Sequence, residues 1–174
     1  NKQPLIFLSA DHKIEKINTF NKEIKKNKKL LTNKNIFIFG IRPNFPSDQL
    51  GYFITKKIKR VNKVSKFIEK PKLTIAKNII KKGGFWNSGI FFLRKDSLLF
   101  NFKKYQKSIY NNSSLAFSKS KLRKNVCYLN KNFFNRNPSK SFDYAILEKS
   151  KDINAIMLNI PWSDMGSWKE ILLM

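Results

Sequence analysis

Six apolar runs of strand length recur along this chain, at residues 4–10, 35–41, 51–55, 64–68, 85–93 and 153–160, with amphipathic helical stretches between most of them. Strands that alternate with helices can bury both kinds of apolar face only in an α/β sheet, so the expected architecture is Rossmann-like, mostly parallel, with flanking helices. Such sheets bind ligands beyond the carboxyl ends of their strands, and polar residues at those ends are the first place to look for chemistry.

The helical stretches follow from spacing. Ile14, Ile17, Phe20, Ile24 and Leu31 recur at helical intervals among lysines, which predicts a surface helix. Leu73, Ala76, Ile79 and Ile80 predict a short helix stopped by Gly83-Gly84. Asp96 is the expected N-cap of a helix around Leu98, Leu99 and Phe102, and Ser141 that of a helix over 142–149. Residues 106–140 read as a helical or irregular excursion, and a last helix is expected from Ser167. At 174 residues and 41% hydrophobic content, one domain over 1–174 is expected. The sequence opens on Asn1 and closes on Met174 without a visible stop signal, so a fragment is the expectation.

The formal charge is +25, a balance that ordinarily points to nucleic acid or an anionic surface. Here the cations are nearly all Lys, with Arg only at 42, 60, 94, 123 and 136, and Lys travels with Asn, Ile and Phe, all encoded by A/T-rich codons. Base composition therefore accounts for the charge, and no nucleic-acid partner is expected, because specific binders place Arg at base edges. Cys127 is the only cysteine, which excludes an internal disulfide and a Cys-based zinc site and fits a reducing cytoplasm. No apolar run approaches the ~20 residues of a membrane helix, so no membrane is expected.

With only eleven acids, their placement carries information. Asp11 ends one strand, Glu69 another, and Asp164 follows a third. Three carboxylates on one sheet edge repel unless a cation lies among them, and Mg²⁺, which takes one or two carboxylates plus phosphate oxygens, is the natural occupant for Asp11 and Asp164. Helix caps or solvated strand ends are the competing reading. Lys70 beside Glu69 is either a weak surface ion pair or a point charge for a phosphate. Pro71 is expected to hold Lys70 extended. Asn87 and Ser88 interrupt an apolar strand, and a buried amide without partners costs about 1–3 kcal/mol, so a ligand hydroxyl or a neighbouring backbone must meet it. Gly51 and Gly89 permit close approach of a backbone. His12, the only histidine, is read as structural.

Seven segments, Ser9-Ala10-Asp11-His12, Gly40-Ile41-Arg42-Pro43, Gly51-Tyr52, Phe67-Ile68-Glu69-Lys70-Pro71, Trp86-Asn87-Ser88-Gly89-Ile90-Phe91, Ser141 through Lys149, and Trp162-Ser163-Asp164-Met165-Gly166-Ser167-Trp168, resemble in order the motifs of bacterial mannose-1-phosphate guanylyltransferases, a branch of the sugar-nucleotide pyrophosphorylases. The resemblance implies the nucleotide-diphospho-sugar transferase fold and the Mg²⁺-dependent reaction of mannose 1-phosphate with GTP to GDP-mannose and pyrophosphate, with a homo-oligomer possible. It implies Asp11 and Asp164 as catalytic metal carboxylates, Lys70 as the catalytic sugar-phosphate contact, Glu69 and Asn87 as sugar-hydroxyl contacts, and Gly51, Tyr52, Ser88 and Gly89 as the remaining substrate-binding positions. Asp143, Tyr144 and Glu148 stand as a supporting helix. The family's Gly-rich loop does not occur in residues 1–174, so the chain alone is expected to be inactive, and Pro46-Ser47-Asp48-Gln49-Leu50 departs from the family's loop before Gly51. A thymidylyl- or uridylyltransferase acting on glucose 1-phosphate is the rival enzyme, and a basic polyanion-binding module or a degenerate assembly homologue the rival without catalysis.

Overall fold

The computed structural model describes residues 2–56 and 61–166. In chain order these form β1 (Pro4–Phe7), β2 (Lys13–Ile14), α1 (Ile17–Asn27), a 3₁₀ turn (Lys28–Leu30), β3 (Ile36–Ile41), β4 (Tyr52–Thr55), β5 (Val61–Ile68), α2 (Leu73–Lys81) and β6 (Phe85–Arg94). There follow α3 (Lys95–Tyr105), α4 (Lys107–Ser118), β7 (Lys121–Arg123), β8 (Val126–Tyr128), α5 (Lys131–Phe134), a π-helical turn (Asp143–Leu147), β9 (Ile153–Met157) and β10 (Trp162–Ser163). The helix expected from Ser167 lies outside the described residues.

The α/β class and the alternation hold, but the strand directions do not. The main sheet runs β1-β6-β3-β9-β5-β4, and β4 also pairs with β6, so five strands close a ring of pairings. Among the described strands of this sheet only β3 and β9 are parallel. β6 runs antiparallel to β1, β3 and β4, and β4 antiparallel to β5. A short link between β4 and β5 enforces a hairpin, and the helices following β5 and β6 lead to strands that are not their parallel neighbours.

The period-2 alternation of β3 divides the core. Phe37 and Phe39 face a cluster with Tyr52, Trp86 and Ile90 that α1 closes with Phe20 and α2 with Ala76 and Ile79. Ile36 and Ile38 face the other side, with Phe53, Phe67, Leu93 and the π-helical Ala145, Ile146 and Leu147, where α3 adds Leu98 and Phe102. Gly40 is required where the sheet bends: a Cβ there would lie 2.6 Å from Phe53 Cζ and 2.9 Å from Met157 Sδ, at a register shift between β3 and β6.

Several local expectations are met. The α2 terminus carries the paired bonds of a Schellman motif, Gly84 N–H to Ile79 O and Gly83 N–H to Ile80 O, both 2.9 Å, with Gly83 at φ +75°. Ser141 Oγ accepts the Tyr144 N–H at 3.3 Å, as a cap does. Asp96 falls inside the first turn of α3 rather than at its cap, pairing with Arg94 and favouring the positive end of the helix dipole. β1 is at the sheet edge among described strands, and the burial expected of its run fails: Phe7 and Leu8 are 43% and 53% exposed. No helix among the described residues is long and apolar enough to cross a membrane.

Candidate functional site

Seven buried polar side-chain atoms among the described residues lack a hydrogen-bond partner: His12 Nδ1, Glu69 Oε2, Trp86 Nε1, Asn87 Oδ1, Ser88 Oγ, Trp162 Nε1 and Asn137 Oδ1. Buried polar atoms are nearly always paired, so orphans that cluster mark a place where a ligand completes the bonding. All but Asn137 belong to the motif segments singled out above. A larger hollow of about 930 Å³, between β5 and residues 147–153 and lined in part by Lys63, Lys66 and Lys151, holds none of them.

The first group of residues meets at the carboxyl end of β5. Glu69 is half-buried immediately after this strand, and a Cβ on Gly51 would lie 2.5 Å from its Oε2 and 3.4 Å from Asn87 Cβ. Gly51 O accepts the Asn87 N–H at 2.8 Å. Glu69, Gly51 and Asn87 are therefore packed together because position 51 has no side chain. Exposed Lys70 turns sharply after Glu69, with φ +44°. The expected extended conformation is corrected: Pro71 disfavours the right-handed helical region at the residue before it, and the chain takes the left-handed one. Lys70 joins Glu69, Ser139, Lys140, Ser141, Tyr144 and Lys149 around a hollow of about 610 Å³.

Two further acids reach this group from the π-helical turn. Asp143 Oδ1 accepts from Asn87 Nδ2 at 3.0 Å, and Glu148 Oε1 accepts the Glu69 N–H at 3.1 Å. The i→i+5 bond from Glu148 N–H to Asp143 O, 3.0 Å, brings residues five apart to nearly one turn's separation, where an α-helix would turn them to different faces. These bonds agree with the supporting role that the resemblance implies for Asp143 and Glu148; the i→i+5 spacing that makes them is one that a period of 3.6 does not give.

Burial, then the charges of Asp143 and Glu148, push the Glu69 carboxyl up to about 7 from 4.5, with Lys70 pulling the other way. Burial also raises Asp143. Between about 4.5 and about 7 the folded chain thus binds more protons at Glu69 than the unfolded chain, and stability falls as pH rises through that window. The thermal midpoint is expected to decline over this range in the wild type and less steeply in Glu69→Gln. Equal slopes would contradict the assignment.

The second group gathers on a short ribbon. β2 and β10 pair antiparallel, Trp162 with Ile14 and Ser163 with Lys13. Asp11, just before β2, and Asp164, directly after β10, lie at the same end of this ribbon, Asp11 75% exposed at its side chain. Asp164 Oδ1 accepts the Gly166 N–H at 3.2 Å. No group of three or more His, Cys, Asp or Glu that could hold a metal occurs among the described residues. Mg²⁺ asks for no more than one or two carboxylates when phosphates supply the rest, and carboxylate oxygen is the hard donor type that it takes. His12 sits between the groups: its ring meets Trp162 edge-on at 5.3 Å, and a Cβ on Gly89 would lie 3.0 Å from its Cε1. Gly89, at φ +71°, thus accommodates His12.

Tyr52 and Ser88 are fully buried, and the Tyr52 hydroxyl is engaged with Ser47, accepting its N–H at 2.8 Å and donating to its O at 3.1 Å. Tyr52 anchors the loop before Gly51. That loop also presents Phe45 edge-on to Trp86 at 4.9 Å, a neighbour the sequence reading did not name.

Comparison with known proteins bears on the family and the fold. The family model described as nucleotidyl transferase matches residues 1–174. The mannose-1-phosphate guanylyltransferase of Escherichia coli is 31% identical over 98% of this chain and 39% of its own length. The alginate biosynthesis protein AlgA of Pseudomonas aeruginosa is 30% identical over 96% of the chain and 36% of its own. The chain therefore spans well under half the length of these curated relatives. A solved structure of a mannose-1-phosphate geranyltransferase from Thermus thermophilus superposes with a TM-score of 0.84 over 96% of the chain and 48% of its own, at 22% identity, and shares the fold. With its whole length matched by one family model and its strands superposing on that fold, the chain belongs to the nucleotidyl transferase family.

Proposed function

We propose that this chain forms the sugar-phosphate side of a Mg²⁺-dependent enzyme that condenses mannose 1-phosphate with GTP to give GDP-mannose and pyrophosphate. The observation that carries the reading is the pair of unpartnered buried acceptors, Glu69 Oε2 and Asn87 Oδ1, on side chains that meet at Gly51, with Lys70 following Glu69 on the rim of the adjoining hollow. Two acceptors beside a cation suit a ligand with hydroxyls at one end and a phosphate at the other. The similarity to the E. coli guanylyltransferase supports the choice of mannose and guanine.

In this reading a phosphate oxygen of the sugar phosphate attacks the α-phosphorus of the nucleotide in line. The new P–O bond forms as the α–β bond breaks, and pyrophosphate leaves. Glu69 and Asn87 orient the sugar, and Lys70, with Lys140 and Lys149 on the same hollow, holds its phosphate. Asp11 and Asp164 would hold Mg²⁺, which when bound supplies positive charge against the phosphates.

The test is pyrophosphate release by the native protein with mannose 1-phosphate and glucose 1-phosphate, each against GTP, UTP and dTTP. Mannose 1-phosphate with GTP is expected to be fastest. Preference for glucose 1-phosphate with dTTP or UTP would replace the reading by its thymidylyl or uridylyl rival. Gly51→Ala offers a sharper local check. A methyl there would meet Glu69 Oε2 at 2.5 Å, Phe67 Cζ at 3.3 Å and Asn87 Cβ at 3.4 Å, so the buried carboxylate must shift, and a modest fall in thermal midpoint is expected beside a larger loss of binding. The lost charge-assisted bond, worth about 1.5–3 kcal/mol, should weaken the sugar phosphate roughly 10- to 150-fold.

A further inference from the structure

Asn87 is 6% exposed on β6, and its side-chain amide is committed in one direction: Nδ2 donates to Asp143 Oδ1 at 3.0 Å. An ionised carboxylate only accepts, so Asp143 fixes which end of the Asn87 amide it holds. Oδ1 must then face away from Asp143, and it is one of the buried atoms with no partner. Across the gap left by Gly51 stands the other, Glu69 Oε2. The Glu69 main chain is itself held, because its N–H donates to Glu148 Oε1 at 3.1 Å. One π-helical turn therefore clamps both acceptor-bearing residues, and Lys70 is the cation whose charge acts on both Glu69 and Asp143.

We propose that Asp143 and Glu148 are positioning residues that set the hydrogen-bond polarity of this site, so that Asn87 Oδ1 and Glu69 Oε2 stand as adjacent acceptors and select a ligand with two hydroxyl donors on one ring. The inference rests on the sugar-phosphate reading and goes beyond it in naming what the site discriminates: donors from mere acceptors. The amide is the part that can fail. With Asp143→Asn the partner both donates and accepts, Asn87 is free to turn over, and its end of the site accepts a ligand of either polarity. Protonation of Asp143, whose carboxyl burial has raised, loosens the clamp in the same way.

Fluorine in place of a ring hydroxyl keeps an acceptor and removes the donor, so monofluoro derivatives of mannose 1-phosphate, one for each ring hydroxyl, are the probes. Binding to the native protein is measured at a pH well above 7, where the Glu69 carboxyl, pushed up to about 7, is ionised and only accepts, and where Asp143 is ionised as well. The wild type is expected to lose about tenfold or more in affinity for the derivatives whose missing donors faced Asn87 and Glu69. In Asp143→Asn the penalty at the Asn87 position should shrink to less than about threefold, while that at the Glu69 position persists. Retention of both penalties in Asp143→Asn, with uniformly weaker binding, overturns the positioning role while leaving the sugar-phosphate reading intact. Failure of any sugar phosphate to bind the wild type overturns both.

A second measurement needs no variant. The Asn87 side-chain amide resonances of the wild type should move little when mannose 1-phosphate binds, since the donors stay on Asp143. A large shift, meaning that the amide has turned to donate to ligand, contradicts the proposal.

Discussion

Asp11→Asn and Asp164→Asn are each expected to lower turnover of the native protein by about 10³-fold, equivalent to roughly 4 kcal/mol of transition-state stabilisation. Both residues lie at one end of the two-stranded ribbon of β2 and β10, and Asp11 is open to solvent, so neither substitution disturbs a packed core. The amide keeps the size and one acceptor of the carboxylate but removes the charge that a divalent cation needs. The thermal midpoint should therefore stay within about 2 °C while activity collapses, as for surface substitutions within about ±0.5 kcal/mol. Raising Mg²⁺ should recover part of the loss in either single variant. Wild-type turnover and Mg²⁺ dependence in both variants would remove these two residues from the metal role and leave them as solvated strand ends.

Phe53→Ala is expected to have the largest effect on folding, about 3–5 kcal/mol. Phe53 is 1% exposed and stacks on Phe85 at 5.8 Å, and its ring lies against Gly40, where no Cβ fits. It stands on β4, the strand that pairs with both β5 and β6 and so closes the ring of the main sheet. The cavity left by its removal opens between Gly40 and Phe85, which β6 and β3 hold in place and which cannot collapse cheaply. Calorimetry should show a fall in midpoint of ~6–20 °C for a chain of this size. A fall of less than about 2 °C would mean that the sheet is closed by main-chain pairing alone. Gly40→Ala, which meets the same ring from the opposite side, should also destabilise, by overpacking.

How far the sequence announced this arrangement depended on whether the deciding signal was local. The end of α2 was legible because Gly83-Gly84 can supply the left-handed residue that a Schellman motif needs. The meeting of Glu69 with Asn87 was legible as a shared chemistry, a polar residue ending one apolar strand and another interrupting a second. The strand directions were not, since whether β6 runs with or against β3 depends on sheet order, which no window of sequence contains. The exposure of Phe7 and Leu8 has the same origin: an edge strand and a central strand can carry the same apolar run. The β7–β8 hairpin was missed because its turn is Lys124-Asn125, both at positive φ, in place of the Asn-Gly or Asp-Gly that signals such a turn. The supporting role of Asp143 and Glu148 followed from the resemblance, but the π-helical turn that delivers it was hidden, since one added residue rotates two acids toward the site without changing composition or apolar pattern.

The central claim is that the site lies where Glu69, Gly51, Asn87 and Lys70 converge. It is tested most directly by titrating the isotopically labelled native protein with mannose 1-phosphate and following main-chain and side-chain resonances. Saturable shifts concentrated at Gly51, Glu69, Lys70, Asn87 and the facing Asp143 to Lys149 segment are the predicted result. Shifts confined instead to Lys63, Lys66 and Lys151 around the larger hollow would contradict it.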